Sequence, residues 1–206
     1  MTTREILKVL QEDIHSTIMA TVDDDGLPVT CVIDMMLSDE NGLYFLTAKG
    51  KAFYDRLMKR KFVAVTGLKG EDTMSSVSVN LRGDVRNIGK ERLQEIFEKN
   101  PYMADIYPTE KSRDALEVFQ IYRGSGELFD LSKRPIFRQS FTFGGEKEKS
   151  SGYKIIPDKC TGCGQCVSVC PQNCIIGEKP KIIQDEHCLH CGNCLNICPT
   201  GAVERI

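Results

Sequence analysis

The sequence predicts two successive domains. A mainly antiparallel β-barrel with inserted helices spans residues 1–145, and a small cysteine-rich domain spans 153–206, joined by a linker at 146–152. Three observations carry this reading. Between residues 17 and 131, short β-branched and aromatic runs alternate with Asp, Asn and Gly turn signals, as in a sheet built from hairpins. Nine of the ten cysteines lie after residue 159. Eight of those nine form two runs of C-x2-C-x2-C-x3-C-P, Cys160 to Pro171 and Cys188 to Pro199, which superimpose on a shift of 28 residues.

Taken in order, residues 6–10 begin a short amphipathic helix that ends near His15. A strand at 17–22 meets the turn signal Asp23-Asp24-Asp25-Gly26, and a second strand runs over 28–37. After the turn at 38–42 comes a third strand, 43–47. A helix follows at 52–60, with Phe53 and Leu57 on one face, then strands at 62–67 and 76–86. A helix at 90–99 is stopped by Asn100-Pro101, and 102–108 is a short helical or irregular piece. Strands at 116–122 and 126–131 flank Gly124-Ser125-Gly126. About six strands with two inserted helices make a barrel with helical decoration. The charged, glycine-bearing run 144–152 reads as the linker region.

The cysteine spacing has a chemical reason. Three thiolates two residues apart can wrap a short loop around one iron–sulfur cube. The residues between them must turn tightly and aim backbone N–H groups at the sulfurs, which Gly162, Gly164 and Gly192 permit. A zinc site pairs two C-x2-C units over a longer gap, so a third cysteine at the same step is surplus. Disulfides require an oxidising compartment, which nothing in the sequence indicates.

Over about residues 153–206 the motifs resemble the bacterial two-[4Fe-4S] ferredoxin family. That resemblance implies a small pseudo-two-fold α+β domain that passes single electrons at low potential. In that family the fourth cysteine of each run serves the other cluster. Cys160, Cys163, Cys166 and Cys198 would then hold one [4Fe-4S] cluster, and Cys188, Cys191, Cys194 and Cys170 the other. Cys174, which aligns with Ala202 of the second run, is left over and reads as a small buried residue. His187 and His190 flank the second run as solvated groups or groups that tune the cluster from outside its ligands.

The first domain carries looser motifs. Phe45-Leu46-Thr47, Lys51 four residues on, a helix, and then Phe62-Val63-Ala64-Val65 resemble the pyridoxamine-phosphate-oxidase-like split-barrel flavoproteins, as do 124–131 and Phe141-Thr142-Phe143-Gly144. The similarity covers about residues 5–145. It implies a homodimer formed through the barrel, with FMN at its interface. Carried over, Thr47, Lys49 and Lys51 hold the phosphate and Ala48 allows its close approach. The second strand, from Cys31 through Val32, Ile33 and Asp34 to Met36, lines the isoalloxazine mostly through its backbone. The two lysines could merely solvate the start of the helix. A helix N-terminus disfavours lysine, however, so two of them there fit a bound anion. Where the oxidases begin this strand with arginine the chain has Cys31, its phosphate loop is two residues shorter, and clusters stand where their C-terminal substrate segment would be. Pyridoxamine-phosphate oxidation itself is therefore not expected.

Composition sets the remaining bounds. The formal net charge is −2 with no basic block, and from Ser151 onward five Lys and Arg balance five Asp and Glu. Nucleic acid is thereby disfavoured as a partner. No apolar run approaches the ~20 residues that span a bilayer. Abundant thiols with no leader-like segment suit a reducing cytoplasm. No GxGxxG follows a strand, so a dedicated Rossmann nicotinamide site is not expected; the expected redox partner is a ferredoxin or a nicotinamide nucleotide. The expectation is a flavin-reductase-like oxidoreductase carrying FMN and iron–sulfur clusters. The alternative is a redox-sensing or ligand-binding flavoprotein, or an electron carrier without turnover of its own. His15 is the only histidine outside the cysteine-rich domain, which leaves a haem few partners in the barrel.

Overall fold

Thr2 opens the first helix with a reciprocal cap: its hydroxyl accepts from the Glu5 amide, and the Glu5 carboxylate accepts from the Thr2 amide. In the computed structural model, which describes residues 1–148 and 151–206, this helix is α1 (Thr3–Lys8). It does not continue regularly to His15. It widens into a π-type turn, Val9–Ile14, closed by the His15 amide donating to the Leu10 carbonyl five residues back. His15 is left at φ 60° and ψ −69°, a conformation costly for any residue with a β-carbon.

Strands β1 (Ser16–Val22) and β2 (Pro28–Asp34) form a hairpin whose turn is tied by Asp23 Oδ1 accepting from the Asp25 and Leu27 amides. The sequence reads 28–37 as one strand, but the chain bends at Met35 and Met36, both of which enter the core. It resumes as β3 (Leu37–Asp39), paired with β4 (Gly42–Ala48). Helix α2 (Ala52–Arg60) buries Phe53 and Leu57 and ends at Lys61 in the left-handed conformation. There follow β5 (Phe62–Lys69), β6 (Val77–Gly89), the short helices α3 (Leu93–Lys99), α4 (Met103–Ile106) and α5 (Glu110–Arg113), then β7 (Leu116–Asp130) and β8 (Phe137–Phe143). These strands make one antiparallel sheet in the order β2-β1-β5-β6-β7-β4-β3, with β8 on β7. In its core Phe45 stacks on Phe119 at 5.6 Å between ring centres. A second group beneath α3 and α4 comprises Met36, Leu37, Tyr44, Ile96, Met103 and Val118.

Two features of the sequence reading change here. The strands expected at 116–122 and 126–131 are one 15-residue strand, β7. A β-carbon on Gly124 would stand 2.5 Å from the Arg82 carbonyl oxygen, and one on Gly126 2.3 Å from that of Asn80. These glycines admit the neighbouring backbone instead of turning the chain. Gly126→Ala is accordingly expected to cost about 1–3 kcal/mol, seen as a lower urea midpoint for the barrel with an unchanged slope. Strand β8 is missing from the sequence reading because Arg138-Gln139-Ser140 masks its alternation.

The chain divides into two compact units, Met1–Glu71 with Val77–Leu128 and Ser140–Lys147, and Asp72–Ser76 with Phe129–Gln139 and Glu148–Ile206. Two short segments that the sequence assigns to the barrel thus group with the cysteine-rich unit. Lys149 and Ser150, at the middle of the expected linker, lie outside the described residues. In the second unit β9 (Tyr153–Ile155) pairs with β12 (Val203–Arg205) and β10 (Ile175–Ile176) with β11 (Ile182–Ile183), around the single helical turns α6 (Gln165–Ser168) and α7 (Asn193–Ile197). Its buried core is Cys166, Cys174, Ile175, Cys188, Cys194 and Val203. Among the described residues no helix is long and apolar enough to cross a membrane.

Candidate functional site

The two cysteine runs fold as near-copies. Each passes through a glycine at φ 79°, Gly164 or Gly192, and enters a helical turn, α6 or α7. Only a residue without a β-carbon takes that conformation cheaply. The turn buries the third cysteine of each run, Cys166 or Cys194, and leaves the fourth at its far end. Two cavities of similar size result. One is lined by Cys160, Cys163, Cys166 and Cys198. The other is lined by Cys188, Cys191, Cys194 and Cys170, with Cys174 beside them. Three cysteines of one run therefore meet the fourth of the other, in both directions.

No three His, Cys, Asp or Glu side chains among the described residues converge tightly enough for a single ion. The sulfurs surround a space, not a point. Backbone amides are aimed at them: Lys181 donates to Cys160 Sγ at 3.4 Å, His190 to Cys188 Sγ at 3.4 Å and Ala202 to Cys198 Sγ at 3.2 Å. Burial pushes the thiols of Cys166, Cys188 and Cys194 up from their ordinary value, so keeping them as thiolates takes a bound cation. Such a donor set, soft sulfur around a chamber edged with amide donors, suits an iron–sulfur cube. Cys174 is buried, and its Sγ lies 3.5 Å from that of Cys170. His187 Nδ1 is 2.8 Å from the Ile136 carbonyl oxygen. His190 stands between Asp185 Oδ1 at 2.9 Å and Arg138 Nη1 at 3.1 Å. Its φ of 54° reproduces the 74° of Gly162 at the matching position of the first run.

In the barrel, β2 pairs with β1 on one side only. The Met35 amide donates to the His15 carbonyl at 2.8 Å, which fixes the parity of the ladder: Cys31 and Ile33 bond toward β1. The amides and carbonyls of Thr30, Val32 and Asp34 consequently face the open edge. At the end of β4, Thr47 is buried, and its hydroxyl has no hydrogen-bond partner among the described residues. Lys51 caps α2 from an extended conformation, and no side chain bonds the first-turn amides there. A buried orphan hydroxyl, an uncapped helix start and a lysine make a donor set that suits a phosphate.

The two lysines of this loop are not equivalent. Lys49 Nζ lies 3.8 Å from Glu117 Oε1. Glu117, held below the usual carboxylate range by bonds from Asn87 at 2.5 Å and Tyr54 at 2.7 Å, is a charge already in place. Burial raises the Cys31 thiol while the nearby cations of Arg56 and Lys51 act to lower it, so β2 and the start of α2 share one field. Arg56, whose Nε donates to the Thr21 hydroxyl at 2.8 Å, escaped the sequence reading; its one signal was its place a turn beyond Ala52 on the helix. Tyr102 escaped it too. The fold brings its hydroxyl to Asp34 across 68 positions of chain, and no local pattern encodes that meeting.

Comparison with known proteins accords with both halves. The sequence matches the family described as pyridoxamine 5'-phosphate oxidase over residues 2–122. It matches that described as a 4Fe-4S binding domain over residues 153–176 and 181–204. Among solved structures, a NimC/NimA family protein from Clostridium acetobutylicum superimposes with a TM-score of 0.54 at 18% identity, over 68% of this chain and 88% of that one. A heme binding protein from Mycobacterium smegmatis does so with a TM-score of 0.53 at 12% identity, over 69% of this chain and 58% of that one. At such identities the likeness is one of fold.

Proposed function

Because the chain belongs to the pyridoxamine 5'-phosphate oxidase family and carries a 4Fe-4S binding domain, it is a redox protein, and we propose that it relays electrons between two [4Fe-4S] clusters and one FMN, reducing or oxidising a small molecule. The observation that carries this reading is the pair of cavities, each lined by four cysteines drawn from both runs. Bound clusters supply one-electron transfer, and bound FMN exchanges one electron or two.

The chain's own residues do the holding. Cys160, Cys163, Cys166 and Cys198 grip one cluster and Cys188, Cys191, Cys194 and Cys170 the other, with the amides of Lys181, His190 and Ala202 directed at the sulfurs. Thr47, Lys51 and the first-turn amides of α2 take the FMN phosphate, and Ala48 lets it approach. Arg56 adds a positive charge beside them, while Lys49 contributes less because Glu117 engages it. The ring lies along the open edge of β2, bonded by the backbone of Val32 and Asp34, with Cys31 and Ile33 as neutral strand residues between. The outer face of β1, β2 and β5 supports a homodimer: Ile18 and Val32 are register partners at 54% and 67% exposure, with Phe62 and Leu68 on the same side. Electrons come from an external ferredoxin or a nicotinamide nucleotide, in a cytoplasmic setting that keeps thiols reduced. Cys31, in place of the oxidases' arginine, argues against pyridoxamine-phosphate oxidation; the reaction proposed instead is flavin-reductase-like.

Titrating FMN into flavin-stripped protein and following its fluorescence tests the cofactor site. Lys51→Ala is expected to weaken binding tenfold to a hundredfold, since a hydrogen bond to a charged group is worth about 1.5–3 kcal/mol. Lys49→Ala is expected to weaken it by less than about threefold, as an exposed pair contributes little. Equal small losses from both would remove the phosphate from this loop.

A further inference from the structure

The two cysteine runs match in their ligands but not in what covers them. Where the first run has Lys159 and Gly162, the second has His187 and His190. The first ligand loop is covered by the connection between β10 and β11: a β-carbon on Gly162 would stand 2.8 Å from the Glu178 carbonyl oxygen. Lys159 is exposed and pairs with Glu204 at 3.1 Å. The second ligand loop meets residues 129–139, which lead from the end of β7 into β8 and group with the cysteine-rich unit.

Both histidines make that contact. His187 Nδ1–H is directed at the Ile136 carbonyl oxygen, 2.8 Å away, and Ile136 itself is buried. Arg138 can only donate, so its Nη1, 3.1 Å from His190 Nδ1, makes that nitrogen the acceptor. The hydrogen on Nε2 is left for Asp185 Oδ1 at 2.9 Å. The Arg138 guanidinium also lies 4.9 Å from the centre of the Phe129 ring, which ties the two ends of the segment together.

The backbone of the second loop is strained to allow this. His190 has a φ of 54°, in the left-handed region that Gly162 occupies freely and that costs a residue with a β-carbon. A costly conformation persists where the surroundings fix it, and here the ring sits between Arg138, Asp185 and the Tyr153 ring. The His190 amide donates to Cys188 Sγ at 3.4 Å, and His187 immediately precedes that ligand. Both rings are therefore placed only while the loop is closed around its cluster. The segment they hold is weakly built, since residues 131–136 belong to no strand or helix.

We propose that the second cluster is a latch on the connection between β7 and β8. With that cluster bound, His187 and His190 hold residues 131–139; its loss releases them, and loss of the first cluster does not. The inference rests on the assignment of two clusters made above and needs no flavin. The chain thereby converts the occupancy of one particular cluster into order or disorder of a segment continuous with two barrel strands.

The test is anaerobic hydrogen exchange on the full iron-loaded chain, with iron measured on the same samples. Cys194→Ser and Cys166→Ser, matching positions of the two runs, each remove one cluster and leave about four iron atoms per chain. Exchange over 131–139 is expected to quicken at least tenfold in Cys194→Ser and to stay within about threefold of wild type in Cys166→Ser. Tenfold is about 1.4 kcal/mol, the scale of one or two hydrogen bonds. The double variant His187→Ala with His190→Gly is expected to keep about eight iron atoms and still to quicken exchange tenfold. Equal exchange in the two cysteine variants would overturn the latch, and so would wild-type exchange in the histidine variant. Loss of iron from the histidine variant would mark both residues as holding the cluster itself, and would overturn it too. A wild type that takes up no iron would instead sink the cluster assignment, and the latch with it.

Discussion

Removing iron from the full-length protein is expected to unfold the cysteine-rich unit while the barrel stays folded. The reason lies in what that unit buries. Of the six buried residues in its central cluster four are cysteines, Cys166, Cys174, Cys188 and Cys194, and two are aliphatic, Ile175 and Val203; Tyr153, Ile155, Val167 and Ile183 pack against them only partly buried. Its strands are two or three residues long and its helices are single turns. So small a core cannot offset the conformational entropy of some fifty residues, about 1–2 kcal/mol each for the backbone alone. The clusters must supply the difference, and the free energy of binding them is then free energy of folding. The barrel has its own core around Phe45 and Phe119 and needs no iron. An anaerobic chelation followed by hydrogen exchange checks this: amides of 153–206 lose protection, and those of β1, β4, β5 and β7 keep it. Retained protection over 153–206 would mean the protein scaffold stands without its clusters.

Replacing Cys198 with serine is expected to destroy the cluster held by the other run. Cys198 lies ten residues beyond Cys188 in the chain, yet it lines the cavity of Cys160, Cys163 and Cys166. A serine oxygen is a harder and poorer ligand for iron than thiolate, and the cube should be lost or made labile. Iron falls from about eight to about four atoms per chain, the content of two cubes and of one. Pairs of substitutions identify which cube is lost. Cys160→Ser added to Cys198→Ser removes no further iron, because both act on one cluster. Cys188→Ser added to Cys198→Ser removes nearly all of it. The opposite pattern would place Cys198 with its own run and overturn the crossed assignment.

What the sequence disclosed and what it hid follow from the range of the interactions. The cysteine runs are local: a ligand loop needs its residues at fixed steps, so the twofold repeat is legible without a structure. Strand β7 was misread because Gly124 and Gly126 look like turn residues. What they admit is the backbone at Arg82 and Asn80, some forty positions earlier. The lysines of the β4–α2 loop are legible as cations at a helix start, but Lys49 is engaged by Glu117, which the neighbouring strand β7 brings opposite Thr47 from seventy positions further along the chain. Thr47 was picked out by its place in a motif, and the structure adds that its hydroxyl is buried without a partner. His15 stands alone in the sequence because Tyr102 and Asp34 reach it only through the sheet and the turn after α3.

The relay itself is tested most directly by an anaerobic absorption experiment on the purified protein, with iron, labile sulfide and released flavin quantified. On rapid mixing with excess reductant the cluster absorption should bleach first and the flavin absorption after it, as electrons entering at the clusters pass on to the flavin. About eight iron atoms and one FMN per chain should accompany that order. A full complement of iron with no flavin, or flavin that stays oxidised beside fully reduced clusters, would contradict the account.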